Sequence, residues 1–160
     1  MNQELGIKYE RYIGKKFEVQ NHFVIYNGLI NGLQDNGVDI IVVSSKKNVI
    51  NLIQCKNWNQ KRLYLSDIEN IYNKMFDFRL NCMSFNATEI LEHLAIKKNI
   101  YEIEAMLKYV KEYYNIFEIK YKLYITNDKV IDLEIGKHLK LIRNNKFLYK
   151  KMEIICRGII

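Results

Sequence analysis

The 160-residue chain contains no proline. It also lacks any Ser/Gly-rich stretch, so no linker divides it and a single domain is expected. Cysteine is scarce: Cys55, Cys82 and Cys156 are odd in number, widely spaced and form no CxxC pair. That excludes a zinc ribbon and a disulfide framework, and it fits a reducing, cytoplasmic setting. The three histidines, His22, His93 and His138, have no HxH or HxxxH spacing, so a histidine-based site is not expected. No run of 18 apolar residues occurs, hence no membrane-spanning helix is expected. The opening Met1-Asn2-Gln3-Glu4 begins an amphipathic segment rather than a basic-then-apolar one, which argues against a secretory signal. Internal repeats and low-complexity blocks are also missing.

What the chain does have is apolar and basic. Hydrophobic residues make up 49%, enough for one packed core in a chain of this size. The net charge is +7 and the pI near 9.2, a balance that favours polyanions such as nucleic acid. The abundance of Lys, Asn, Ile and Tyr resembles the output of an A/T-rich genome, which raises lysine without any functional demand.

Residues 2–17 read as a helix in which Gly6, Glu10, Ile13 and Phe17 share a face, with Leu5, Tyr9 and Tyr12 beside them. A glutamate at the edge of such an apolar face is unusual. Residues 22–27 read as a strand. Gly28, Gly32 and Gly37 then mark an irregular loop feeding the β-branched run 38–44. A second such run, 49–55, follows the polar turn Ser45-Lys46-Lys47-Asn48, which makes the two a hairpin. Centred between Lys46 and Lys47, the hairpin sets Val43 opposite Ile50, Ile41 opposite Leu52 and Asp39 opposite Gln54. Paired residues share a face, and Lys56 lies two positions beyond Gln54. Asp39, Gln54 and Lys56 are therefore expected together at one end of an apolar surface.

Ser66-Asp67-Ile68-Glu69 has the capping-box pattern and starts a helix through Tyr72, Met75 and Arg79. Residues 86–89 start another, expected to run to about Tyr114. A strand over 119–126, a helix from about Asp128 to Arg143 and a strand over 152–156 complete an α/β pattern: a mixed sheet with helices packed on it.

A carboxylate within a β-branched run is costly unless paired. For Asp39 and Lys56 three readings stand: a buried ion pair, strand-end residues turned to solvent, or a place in a site. Phosphodiester hydrolysis needs an activated water, charge neutralisation at the phosphate and help for the leaving oxygen. A divalent ion held by oxygen ligands serves the first two. Asp39, the Gln54 amide and a neighbouring main-chain carbonyl are suitable ligands, Lys56 suits the developing charge, and Glu10 completes the shell if the first helix lies over the hairpin's end.

The segments Asn36-Gly37-Val38-Asp39-Ile40-Ile41-Val42 and Ile53-Gln54-Cys55-Lys56-Asn57-Trp58 resemble the catalytic core of Mrr-type restriction endonucleases, members of the PD-(D/E)xK superfamily and relatives of archaeal Holliday-junction resolvases. In that family a helix-borne Glu, the Asp of "GxD" and an "(E/Q)xK" element form the site. They match Glu10, Asp39, Gln54 and Lys56. The resemblance covers residues 4–62 well and 120–157 loosely. It implies a restriction-endonuclease-like core with a helical insertion at about 86–116. The implied activity is that of a DNA endonuclease using Mg²⁺ or Mn²⁺, with Asp39, Gln54, the Cys55 carbonyl and Glu10 (through water) as the metal shell. A homodimer is implied as well, since one site cuts one strand. Gln54 departs from the acidic residue common in the superfamily, which keeps open a non-catalytic DNA-binding or assembly subunit.

Lys15, Lys16, Asn57, Trp58, Lys61 and Arg62 are candidate DNA contacts. Lys15 and Lys16 equally suit a helix C-terminus, and Trp58 equally suits the core. Alternation turns the Cys55 side chain away from Gln54 and Lys56, into the core.

Overall fold

The protein is described by a computed structural model covering residues 2–44, 46–58, 61–127, 129, 131, 132 and 134–159. In chain order the elements are α1 (Asn2–Val19), β1 (Phe23–Ile25), α2 (Asn27–Asn31), β2 (Ile40–Ser44), β3 (Val49–Lys56), α3 (Leu65–Asp77), α4 (Ala87–His93), α5 (Ile100–Glu112), β4 (Glu118–Ile125), β5 (Lys140–Arg143), β6 (Lys146–Tyr149) and β7 (Met152–Cys156). The strands form one mixed sheet in the order β1-β2-β3-β4-β7-β6-β5, flanked by helices. β3–β4 and β4–β7 are parallel and the remaining pairs antiparallel. No described helix is long and apolar enough to cross a membrane.

The centre of the sheet explains its sequence. β2 is buried throughout and β3 through its interior, because both faces are covered; both therefore read as continuous β-branched runs. On one face α1 inserts Tyr9 and Ile13, both fully buried. On the other, Tyr72 of α3 meets Tyr121 and Tyr149 edge-on. From Ile40 to Ser44 the β2–β3 register is the expected one, with Ile41 facing Leu52 and Val43 facing Ile50; Asp39, expected opposite Gln54, precedes β2 and lies outside the ladder.

Three expectations are corrected. The long helix over 86–114 is two helices, α4 and α5. Between them the N–H groups of Ala95 and Ile96 donate to the Glu18 carboxylate at 3.2 and 3.0 Å, and Asn99 caps the second helix through the Tyr101 N–H. The helix over 128–143 is not formed: its described part holds a 3₁₀ turn at Ile135–Lys137 and then β5. Strands β5 and β6 close on Asn144-Asn145, where Asn145 adopts φ 64°, a conformation asparagine tolerates and a helix interior does not use. Helix α3 begins at Leu65, and the capping carboxylate is Asp67, which accepts the Tyr64 N–H at 2.9 Å. Ser45 of the expected turn, and Asp128, Val130 and Leu133 of the expected helix, lie outside the described residues.

Candidate active site

Asp39 stands where the chain enters β2, and three main-chain links fix it. Its N–H donates to the Ile53 carbonyl at 2.8 Å, its carbonyl accepts the Gly28 N–H at 2.9 Å, and its Oδ2 accepts the Cys55 N–H at 2.8 Å. Ile53 already faces Ile40 in the ladder, so the first of these bonds is one residue out of register. The side chain thus takes over an acceptor role that the backbone gives up, and Asp39 is held rigidly with only 5% of its surface exposed.

Gln54 and Lys56 follow on β3, and Glu10 approaches from α1. The structure brings all four residues to the lining of one cavity of about 990 Å³. A Cβ added to Gly28 would lie 3.1 Å from both Glu10 Oε2 and Asp39 Oδ1, so the two carboxylates converge on one small space beside that glycine. Among the described residues no ion pair joins Asp39 to Lys56, which removes the simple buried-pair reading. Instead the Lys56 ammonium lies 5.5 Å from the Trp58 ring centre.

The electrostatics are adverse for two bare carboxylates. Burial, and next the negative charge of Asp35, push Glu10 up to about 7, against the opposing influence of Lys56 and Arg11. Burial and then Glu10 hold Asp39 well above the usual carboxylate range, while the Cys55 N–H bond works the other way. In addition, Glu10 Oε2 and Gln54 Oε1 are buried and have no hydrogen-bond partner. Buried polar atoms are almost always satisfied, so two orphaned oxygens, one of a carboxylate and one of an amide, beside the buried Asp39 carboxylate call for a cation or water. No three His, Cys, Asp or Glu side chains among the described residues stand close enough to hold an ion by themselves. The available donor set is two carboxylates, the Gln54 amide and the Cys55 carbonyl. It suits a small hard cation that keeps some of its water.

Sequence reasoning does not find Asp35, which borders the same cavity. It is placed by Asn27, a fully buried side chain that donates to the Asp35 carbonyl at 3.0 Å and the Val38 carbonyl at 2.7 Å. Asp35 Oδ1 in turn accepts the Gly37 N–H at 2.9 Å, with Asn36 and Gly37 at φ 56° and 79°. The Asp-Asn-Gly turn signature is the available sequence signal. Lys74 and Arg79 from the α3 side complete the mouth of the cavity.

The expected DNA contacts are dispersed. Asn57 donates to the Leu5 carbonyl at 3.2 Å and ties the strand end to α1. Trp58 packs half-buried against the core with the Lys61 ammonium 4.4 Å from its ring centre. Arg62 reaches Asp132 at 3.5 Å on the surface. Lys15 and Lys16 do not border the Asp39 cavity; they line a different groove. Cys55 is buried against Tyr9 and Tyr124, its thiol pushed up by burial.

Comparison with known proteins finds no matching family model, no matching curated sequence and no matching solved structure.

Proposed function

We propose that this protein is a metal-dependent DNA endonuclease of the PD-(D/E)xK kind, built on a restriction-endonuclease-like core. The observation that carries the reading is the pair of unpartnered buried oxygens, Glu10 Oε2 and Gln54 Oε1, at the cavity that also holds Asp39 and Lys56. Asp39, the Gln54 amide oxygen and the Cys55 carbonyl would hold Mg²⁺ or Mn²⁺, with Glu10 joined through water. The ion supplies a polarised water and neutralises phosphate charge. The residues themselves do the rest. Asp39, pinned by its main-chain bonds, would fix where the ion sits. Glu10 Oε2 accepts the proton of the attacking water, a task suited to a carboxylate lifted towards neutral pH. The Lys56 ammonium, with no carboxylate partner among the described residues, stabilises the negative charge that builds on the phosphate oxygens. DNA is the substrate and a homodimer the working form, because cutting a duplex takes two such sites. The substrate is either branched DNA or a duplex cut in restriction fashion.

Gln54 favours one other reading: a DNA-binding subunit that keeps the fold but does not cut, since a neutral amide gives the ion one charge fewer. Supercoiled plasmid separates the two. Nicking with Mg²⁺ or Mn²⁺ that disappears in Asp39→Ala and Lys56→Ala, with DNA binding retained, supports the endonuclease. Binding without cleavage of supercoiled, linear or four-way-junction DNA by the wild type overturns it.

A further inference from the structure

Helix α1 has a second cavity on its other side. A groove of about 670 Å³ runs between its C-terminal half and strands β4 to β7. Six cations line it: Lys15 and Lys16 from α1, and Lys122, Arg143, Lys146 and Arg157 from the sheet side. No Asp or Glu is among its described lining residues. The nearby Glu153 is engaged by Lys146 at 2.7 Å. Lys122 is half-buried on β4, where burial lowers its pKa and Lys146 and Lys120 lower it further, against the pull of Glu153. Between the cations stand aromatic rings. The Lys16 ammonium lies 4.6 Å from the Tyr12 ring centre and that of Lys122 lies 5.7 Å from Phe17.

Lys146 has Glu153 as its partner, but Lys15, Lys16, Arg143 and Arg157 have no ion-pair partner among the described residues. Cations gathered with so little counter-charge repel one another and persist more readily where an anion sits among them. Phosphates spaced along a chain satisfy such an arrangement, and rings set between the charges give unstacked bases a surface to lie on. We propose that this groove is a nucleic-acid site distinct from the Asp39 cavity, which holds the phosphodiester backbone of a single-stranded segment against the sheet side of α1. The proposal shares with the endonuclease reading only the class of partner; the groove binds whether or not the Asp39 cavity cuts.

The test is fluorescence anisotropy of a labelled single-stranded oligonucleotide with EDTA present, across a salt series. Lys15→Glu/Lys16→Glu should weaken binding at least about tenfold. It should also flatten the dependence of log affinity on log salt by about 1.4, roughly 0.7 for each phosphate no longer neutralised. Arg143→Glu, on the opposite wall, should act in the same direction. Lys15→Arg/Lys16→Arg should bind as the wild type, and unchanged melting curves show that the variants fold. Lys108→Glu/Lys111→Glu makes the same charge change on the exposed part of α5 and should leave the salt slope alone. An equal loss in that α5 variant would mean net charge alone and overturns the groove, as does full binding by the α1 charge-reversal variant. Binding to anionic phospholipid vesicles with none to the oligonucleotide also overturns it. Asp39→Asn keeps the two readings apart. If it loses cleavage while the groove variants still bind, only the groove proposal falls; if nothing ever cleaves while the groove variants lose binding, only the endonuclease falls.

Discussion

Helix α1 turns two glutamates inward, two turns apart, in opposite circumstances. Glu18 is 3% exposed and fully engaged: it accepts the Tyr26 hydroxyl at 2.5 Å and the N–H groups of Ala95 and Ile96. It therefore joins α1, the residue between β1 and α2, and the break between α4 and α5. Tyr26 reaches it across Gly14, where an added Cβ would run into the tyrosine ring. Glu10 is at the other end of the contrast, with a buried oxygen that bonds to nothing and two carboxylates for neighbours. A buried carboxylate with three donors is a fastening for the fold. One left without donors beside like charges costs stability, and folds keep such groups mainly where they are used.

Substitution at the two positions should show the largest effect. Glu18→Ala strands the Tyr26 hydroxyl and two amides and should cost about 3 kcal/mol in chemical denaturation. Glu10→Ala should leave stability unchanged or slightly raised, because it removes a desolvated, repelled charge, while plasmid nicking falls by about 10²-fold or more. Equal destabilisation by the two would make Glu10 a fastening as well, and the contrast would collapse.

The hairpin and the faces of Asp39, Gln54 and Lys56 were legible because two β-branched runs around a polar turn admit one period and one centre. Glu10 was legible only as a charge on an apolar face. Glu18 gives that same signal on the same helix, and nothing local tells a satisfied glutamate from an orphaned one; the difference lies in Ala95 and Ile96, far along the chain. Asp35 depends on Asn27, a polar contact that leaves no mark on hydrophobic periodicity. Ile131, Ile135 and Leu139 are spaced as on a helix, so the segment before β5 imitates one, and the competing hairpin signal rests on two asparagines. The α4–α5 break lacks proline or glycine to announce it; Asn99 and the distant Glu18 impose it.

Acidity gives a smaller but more pointed test. Glu10 rises from 4.5 to about 7 on folding, so the folded protein holds a proton that the unfolded chain releases between those values. Its contribution to stability is complete below about pH 4.5 and is lost as pH rises through about 7; Asp39 acts with the same sign. In EDTA, melting temperature should therefore decline from pH 5 to pH 8 more steeply for the wild type than for Glu10→Gln. Mg²⁺ or Mn²⁺ should reverse the decline, with more effect at pH 8 than at pH 5, because the ion binds the ionised carboxylates. Parallel curves for the two proteins, unmoved by either ion, would remove the cation from the Glu10 end of the helix.

Gly28→Ala should cost less stability than Glu18→Ala, and it probes the point where Glu10 and Asp39 meet. Its new Cβ would stand 3.1 Å from an oxygen of each and 3.4 Å from the Asp39 Cα, so neighbours must yield by a few tenths of an ångström. Glu10 is on a long side chain and can swing aside, whereas Asp39 is pinned by its backbone. The expected cost is therefore about 1 kcal/mol. The shift nevertheless falls on the two carboxylates as a pair, and displacements of this size are costly where reacting groups must be aligned. Cleavage should drop well beyond what the lost stability explains, and the Mg²⁺-dependent rise in melting temperature at pH 8 should shrink. If Gly28→Ala cuts and responds to the ion like the wild type, Glu10 and Asp39 do not act together at that point. The unpaired oxygen of Glu10 then differs from the bonded pair on Glu18 for a reason unrelated to the chemistry.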